Sequence, residues 1–128
     1  MITRDQMMPL LIEACPSYRE VSRQLPDEDL LYVALGHFAD HLLELHQQHQ
    51  TDVFPAVAQV IERLHIEGEH YVQEAATIGL LEGIQNGWSD KKVDPELFAR
   101  YLLPVSLKRW QSLNDFWSGK SKSVGDRP

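Results

Sequence analysis

The chain has a single cysteine among its 128 residues, so no disulfide can form within it. Chains without disulfides are typical of reducing compartments. The N-terminal residues lack a basic segment followed by an apolar run, which is the pattern of a secretory signal peptide. No uncharged stretch approaches the roughly 20 residues that cross a bilayer. These absences predict a cytoplasmic protein that does not cross a membrane.

Basic residues are also scarce, because 12 lysines and arginines stand against 19 aspartates and glutamates, for a formal net charge of −7. A negative field repels a phosphate backbone, so nucleic-acid binding is disfavoured. The same field attracts a basic protein and speeds its encounter. A moderate negative charge also keeps a small protein soluble, so the charge alone does not identify a partner.

Strand patterns are missing, since no segment alternates apolar and polar residues with β-branched enrichment. Apolar residues instead recur at three- and four-residue steps, which is typical of amphipathic helices. The apolar share of 43% suits a packed core, and the length suits one domain. We therefore predict an all-α fold, a compact bundle of about five to seven helices arranged as antiparallel hairpins. Residues 1–119 form this single domain, and residues 120–128 form a flexible C-terminal tail.

Capping residues and prolines predict several helix boundaries. Thr3 and Gln6 have the spacing of a capping box and open the first helix. The longest helix follows the acidic run 27–29, since negative charge suits a helix N-terminus. Pro104 suits the first position of the final helix, and Gly119 suits the position just past its end.

A helix over residues 70–85 is predicted to lie at the centre of the fold, because it is apolar on more than one side. One side consists of small residues that let another helix approach closely: Val72, Ala75, Ala76, Gly79 and Gly83. Asn86-Gly87 is predicted to end this helix by supplying left-handed backbone. Trp88 would then stand exposed in a polar loop.

The segment 60–82 resembles a HEAT-type helical hairpin. In that family a tight turn is followed by a valine, a polar pair, two alanines and a leucine-rich end. After Gly68, the matching places are taken by Val72, Ala75, Ala76 and Leu80 or Leu81. The family's usual aspartate before the valine is absent, and His70-Tyr71 stands there instead. No second copy occurs at a fixed period, so the resemblance implies one HEAT-like pair inside a small bundle.

The same segment, together with residues 113–117, resembles a group of small bacterial proteins of unassigned function. Some relatives of such helical proteins accompany secreted toxins. The resemblance therefore implies the role of an immunity protein. It carries no catalytic motif.

Histidines are the first candidate for chemistry. His37 and His41 are four residues apart on the longest predicted helix, so both rings project from one face and could clamp a metal ion. A zinc site needs a third and usually a fourth ligand, and no cysteine pair or HExxH motif supplies them. The alternative is that both histidines lie at the boundary between core and solvent.

Other chemical motifs are absent. There is no GxSxG, and there is no glycine-rich phosphate loop. A second cluster, formed by His65, Glu67, Glu69 and His70, lies at the predicted hairpin turn, where polar residues are also common for solubility. The acidic run 27–29 is explained by its place at a helix start. No catalytic residue and no cofactor is predicted.

These patterns favour a protein-interaction module that engages a basic protein partner, with an immunity protein facing a basic toxin as the concrete version. The candidate partner-binding residues are Trp88, Glu67, Glu69, Asp27, Glu28 and Asp29. A metal-dependent enzyme or metal sensor that uses His37 and His41 is the alternative. A homodimer through the small-residue side of the central helix is also left open.

Overall fold

The computed structural model describes residues 1–25 and 30–119. Its helices, in chain order, are α1 (Arg4–Ala14), α2 (Tyr18–Arg23), α3 (Leu31–Gln47), α4 (Phe54–Glu67), α5 (His70–Glu74), the π-helix π1 (Ala75–Leu81), α6 (Glu82–Asp90), α7 (Glu96–Ala99) and α8 (Pro104–Trp117). Helices α5, π1 and α6 follow one another without a break, and we call residues 70–90 the central rod. With the rod counted as one helix, the described residues form seven helices, and the all-α prediction is confirmed.

Strand-like pairing within the described ranges is limited to an isolated parallel bridge between Ile2 and Gly68. The Ile2 N–H donates to the Glu67 carbonyl at 2.8 Å, and the Glu69 N–H donates to the Ile2 carbonyl at 3.0 Å. The bridge therefore satisfies the backbone of the turn between α4 and α5. None of the described helices is long and apolar enough to span a membrane. The predicted tail, 120–128, lies outside the described residues.

Three predicted helix boundaries have their expected chemistry. The Gln6 side chain accepts the Thr3 N–H at 2.9 Å, which confirms the capping box at the start of α1. Pro104 occupies the first turn of α8, where its missing N–H is tolerated. Gly119 follows α8 with φ +82°, a left-handed conformation that glycine adopts without strain.

The central rod is enclosed by its neighbours, as its sequence predicts. Its fully buried apolar residues are Val72, Ala75, Ala76, Leu80, Leu81, Ile84 and Trp88. Helix α3 packs along π1 and α6, whereas α4 packs against α1, α5 and α8. Helix α3 therefore packs mainly on helices distant from it in sequence, whereas α4 packs on its neighbour α5 and on the distant α1 and α8.

The small-residue side of the rod faces α3 of the same chain. A Cβ placed on Gly79 would lie 2.7 Å from Leu35 Cδ1 and 3.1 Å from the Tyr32 ring. One placed on Gly83 would lie 3.6 Å from Ala39 Cβ, which is ordinary van der Waals contact. The close approach that the small residues allow is thus used within the bundle.

Alanine at these two glycines is expected to change stability in opposite directions. Gly79→Ala should lower the free energy of unfolding by about 1–3 kcal/mol, because Leu35 and Tyr32 must move to admit the new methyl group. Gly83→Ala should raise it by up to about 1 kcal/mol, because alanine favours the helix and meets no clash. Urea titration of both variants measures the difference, and equal effects would contradict this packing.

The structure corrects the predicted end of the rod. Asn86-Gly87 lies inside α6, which continues to Asp90. A Cβ on Gly87 would lie 3.2 Å from Asp40 Oδ1, so this glycine permits a close approach of α3 rather than a left-handed turn. The helix ends where Lys92 takes φ +61° and the N–H groups of Lys91 and Val93 donate to the Trp88 carbonyl.

Candidate functional site

Trp88 was predicted to be an exposed loop residue, and this prediction is wrong. It lies in α6 and is fully buried. Its Nε1–H donates to the Ala39 carbonyl at 3.3 Å, and its ring packs beside His46 and Phe98. The indole therefore joins α6 to α3 and is not available on the surface.

Tryptophan fluorescence tests this correction. Trp117 is 55% exposed, whereas Trp88 and Trp110 are fully buried. We expect acrylamide to quench mainly the fluorescence of Trp117. The fluorescence of the Trp117→Phe variant, which comes from the two buried tryptophans, should hardly be quenched. Strong quenching of that variant, close to that of free tryptophan, would contradict the burial of Trp88.

Glu67 and Glu69 lie at the turn between α4 and α5, and both have partners within the chain. Glu67 accepts two hydrogen bonds from Arg63, at 3.0 and 3.3 Å. Glu69 Oε1 accepts the Arg4 N–H at 3.3 Å. An outside partner would have to compete with these contacts. The other predicted acids, Asp27, Glu28 and Asp29, lie outside the described residues.

The two candidate metal ligands have different surroundings. His41 is 8% exposed, and its Nε2 lies 2.8 Å from Ser17 Oγ. Burial lowers the pKa of His41, and the nearby Glu44 opposes this shift. His37 is half-buried and has interactions of its own. Within residues 1–25 and 30–119, no group of three or more histidines, cysteines or acids is placed to hold a metal ion.

An apolar surface with acidic neighbours lies at the start of α3. Leu30 and Val33 are exposed there, and the exposed Tyr32 packs edge to face on Tyr71, with ring centroids 6.2 Å apart. Partial burial and then the charge of Glu74 raise the pKa of Tyr32. We call Leu30, Tyr32, Val33, Tyr71 and Glu74 the α3-start patch. The acidic run 27–29 directly precedes the patch in sequence.

A second arrangement is internal and was not predicted. His65 Nδ1 lies 2.8 Å from Ser106 Oγ, and His65 Nε2 lies 3.0 Å from Thr77 Oγ1. The Ser106 hydroxyl donates to Glu62 Oε1 at 2.8 Å. We call these four residues, Glu62, His65, Thr77 and Ser106, the His65 network. It connects α4, π1 and α8 through buried side chains.

Glu62 anchors the network at the start of α8. Its Oε1 accepts the Ser106 N–H at 2.8 Å, and its Oε2 accepts the Val105 N–H at 3.0 Å. Leu103, the residue before α8, has no side-chain acceptor, so Glu62 caps this helix from a distance. Burial raises the pKa of the Glu62 carboxyl, but the hydrogen bonds from Val105 and Ser106 outweigh it and hold the pKa below its usual value.

His65 is neutral in this environment. Burial first, and then the positive charge of Arg109, lower the pKa of His65 to about 4, against the opposing charge of Glu62. Thr77, at the far end of the network, also lines a cleft of about 260 Å³ between the rod and α8. The cleft is lined by His70, Gln73, Glu74, Thr77, Ile78 and Arg109.

Comparison with known proteins identifies a family but finds no relative whose activity is known. Residues 8–118 match a family model described as a domain of unknown function, DUF7674. No curated protein and no solved structure matches the chain. The resemblances to HEAT-type pairs and to immunity proteins remain predictions.

Proposed function

The chain belongs to the DUF7674 family, and from its own surface we propose that it is a protein-binding module that engages a basic partner through the α3-start patch. The observation that carries this proposal is the concentration of exposed apolar side chains within one turn. The exposed large hydrophobic residues of the described chain are Met1, Leu30, Tyr32, Val33, Ile66, Leu103 and Trp117. Three of these seven fall within residues 30–33. Clustered exposed apolar residues are typical of interaction sites, whereas scattered ones are ordinary.

Charge supports a basic partner. Residues 1–90 contain 15 acidic and 4 basic residues, whereas residues 91–128 contain 4 acidic and 8 basic residues. The patch belongs to the acidic part of the chain and includes Glu74. One face of the Tyr71 ring is covered by the Arg4 guanidinium, 4.5 Å from the ring centroid, and the exposed Tyr32 ring is of the kind that attracts lysine and arginine side chains. An acidic and aromatic surface suits a partner segment rich in lysine or arginine.

The concrete form of this proposal is an immunity protein that neutralises a basic toxin. It rests on the resemblance of the chain to immunity-type proteins and of its α4–α5 hairpin to a single HEAT-type pair. In this form, the α3-start patch would cover the toxin surface and exclude its substrate.

The test is affinity capture from a lysate of the source cells with three baits. Leu30→Ser changes the patch, and Ile66→Ser is the matched control, because the two side chains are 54% and 60% exposed. We expect wild type and Ile66→Ser to retain the same basic protein. Leu30→Ser should lose it, and added salt should release it, since salt screens the attraction between exposed charges.

Two outcomes would overturn the proposal. One is equal capture of that protein by Leu30→Ser, which would place binding elsewhere on the surface. The other is a captured set without basic proteins. To test the immunity form of the proposal, the captured protein is expressed in cells together with each variant. Wild type should restore the growth of these cells, whereas Leu30→Ser should not.

A further inference from the structure

The cleft between the rod and α8 contains an arrangement that protein binding does not use. Thr77 is 5% exposed, and it is the member of the His65 network that lines the cleft. It lies in π1, and π-helical segments are rare and occur frequently at functional sites. Thr77 therefore contacts a histidine through its hydroxyl and also forms part of the cleft wall.

The hydrogen bonds fix where the protons of the network lie. The Ser106 hydroxyl donates its proton to Glu62, so the Ser106 oxygen can only accept from His65 Nδ1–H. His65 Nε2 then carries a lone pair and accepts the Thr77 hydroxyl proton at 3.0 Å. A hydroxyl next to a base that a third group orients is the general geometry of an activated nucleophile.

Arg109 supplies a positive charge to the same cleft. Its guanidinium is half-buried and has no ion-pair or hydrogen-bond partner among the described residues. It lies close enough to affect His65 electrostatically. A cation beside a nucleophile can stabilise the negative charge that develops on a carbonyl oxygen under attack.

We propose that Thr77 is the nucleophile of an acyl-transfer site for small carboxylic esters, with His65 as its base and Arg109 facing the oxyanion. Ser106 and Glu62 are positioning residues, because they act through His65. A cleft of about 260 Å³ suits a substrate with a short acyl group and a small alcohol.

The reaction has two steps. Thr77 Oγ1 attacks the ester carbonyl carbon while its proton passes to His65 Nε2, and the bond from that carbon to the alcohol oxygen then breaks. His65 returns the proton to the departing alcohol. Water next attacks the acyl-Thr77 ester, His65 takes the water proton, and the carboxylic acid leaves as Thr77 recovers its hydrogen.

Hydrolysis of p-nitrophenyl acetate tests the proposal on the full chain. We expect Thr77→Val and His65→Gln to slow it by roughly 100-fold, the lower end of what a positioned base contributes. Thr77→Ser keeps a hydroxyl and should retain activity. Thr51→Val, a change remote from the cleft, should match wild type. Peptide mass spectrometry should locate the transferred acetyl group on Thr77.

The pH dependence separates this base from exposed histidines. The rate should rise through about pH 4, where His65 loses its proton, and then stay level to pH 7. Glu62 on α4 and Arg109 on α8 are the charged groups that act on His65, and His70 and Glu74 on α5 line the cleft. Wild-type rates in Thr77→Val, or acetyl groups found on lysines alone, would overturn the proposal.

Discussion

Replacing Glu62 with alanine is expected to lower the free energy of unfolding by about 3–5 kcal/mol, the range for removing one partner of a buried charged contact. The carboxylate accepts hydrogen bonds from the Val105 and Ser106 N–H groups and from the Ser106 hydroxyl. Alanine would leave the two N–H donors without partners at the start of α8. Urea titration at pH 7 measures the effect.

Two further variants identify the cause of the stability loss in Glu62→Ala. Glu67→Ala removes a carboxylate from the same helix, but that group is exposed and its ion pair with Arg63 lies at the surface, so stability should hardly change. Glu62→Gln keeps a hydrogen-bond acceptor without the charge. Its loss of unfolding free energy should fall between the losses of the other two variants. If Glu62→Ala were as mild as Glu67→Ala, the distant cap on α8 would not contribute to folding.

Much of the fold could be predicted because local chemistry determines it. The capping box at the start of α1 depends on Thr3 and Gln6, which lie within one turn. Each end of α8 is likewise determined locally, by Pro104 at its start and by Gly119 just past its end. The burial of the rod follows from apolar residues on more than one of its sides. Such features need no knowledge of the rest of the chain.

The error at Trp88 shows where local reasoning fails. An Asn-Gly pair commonly ends a helix, yet Gly87 lies within α6, where a Cβ would come within 3.2 Å of Asp40 Oδ1 on α3. The sequence cannot distinguish a glycine that turns the chain from one that admits a neighbouring helix. An Asn86-Gly87 helix end therefore predicts, wrongly, that Trp88 lies outside the core.

The His65 network was missed because its members come from three separate helices. Glu62 lies off the apolar stripe of α4, which predicts exposure, and His65 directly precedes a polar turn, which predicts that it belongs to that turn. Its partner Ser106 is 41 residues away. One indication was present in the sequence: Leu103 precedes α8 and cannot cap it, so an acceptor had to come from another element.

Acidification is expected to destabilise the protein through His65. Burial holds the pKa of His65 at about 4 in the folded state, below the ordinary histidine value of 6.5, so the unfolded chain binds the proton more readily. This group therefore contributes its full stability above pH 6.5, and the contribution falls as the pH decreases toward 4. The difference in pKa corresponds to about 3 kcal/mol. Urea titrations between pH 7 and pH 4 measure it.

His65→Gln should unfold more easily at pH 7, because it disturbs the contacts with Ser106 and Thr77, and should lack about 3 kcal/mol of the wild-type pH dependence. A smaller dependence of the same sign should persist in this variant, because burial also lowers the pKa of His41. His70→Gln is the control, since that exposed ring pairs only loosely with Glu74, at 3.8 Å. If His65→Gln and wild type lost stability in parallel over this range, His65 would not be held neutral in the folded protein, and the proton positions assigned to its network would be wrong.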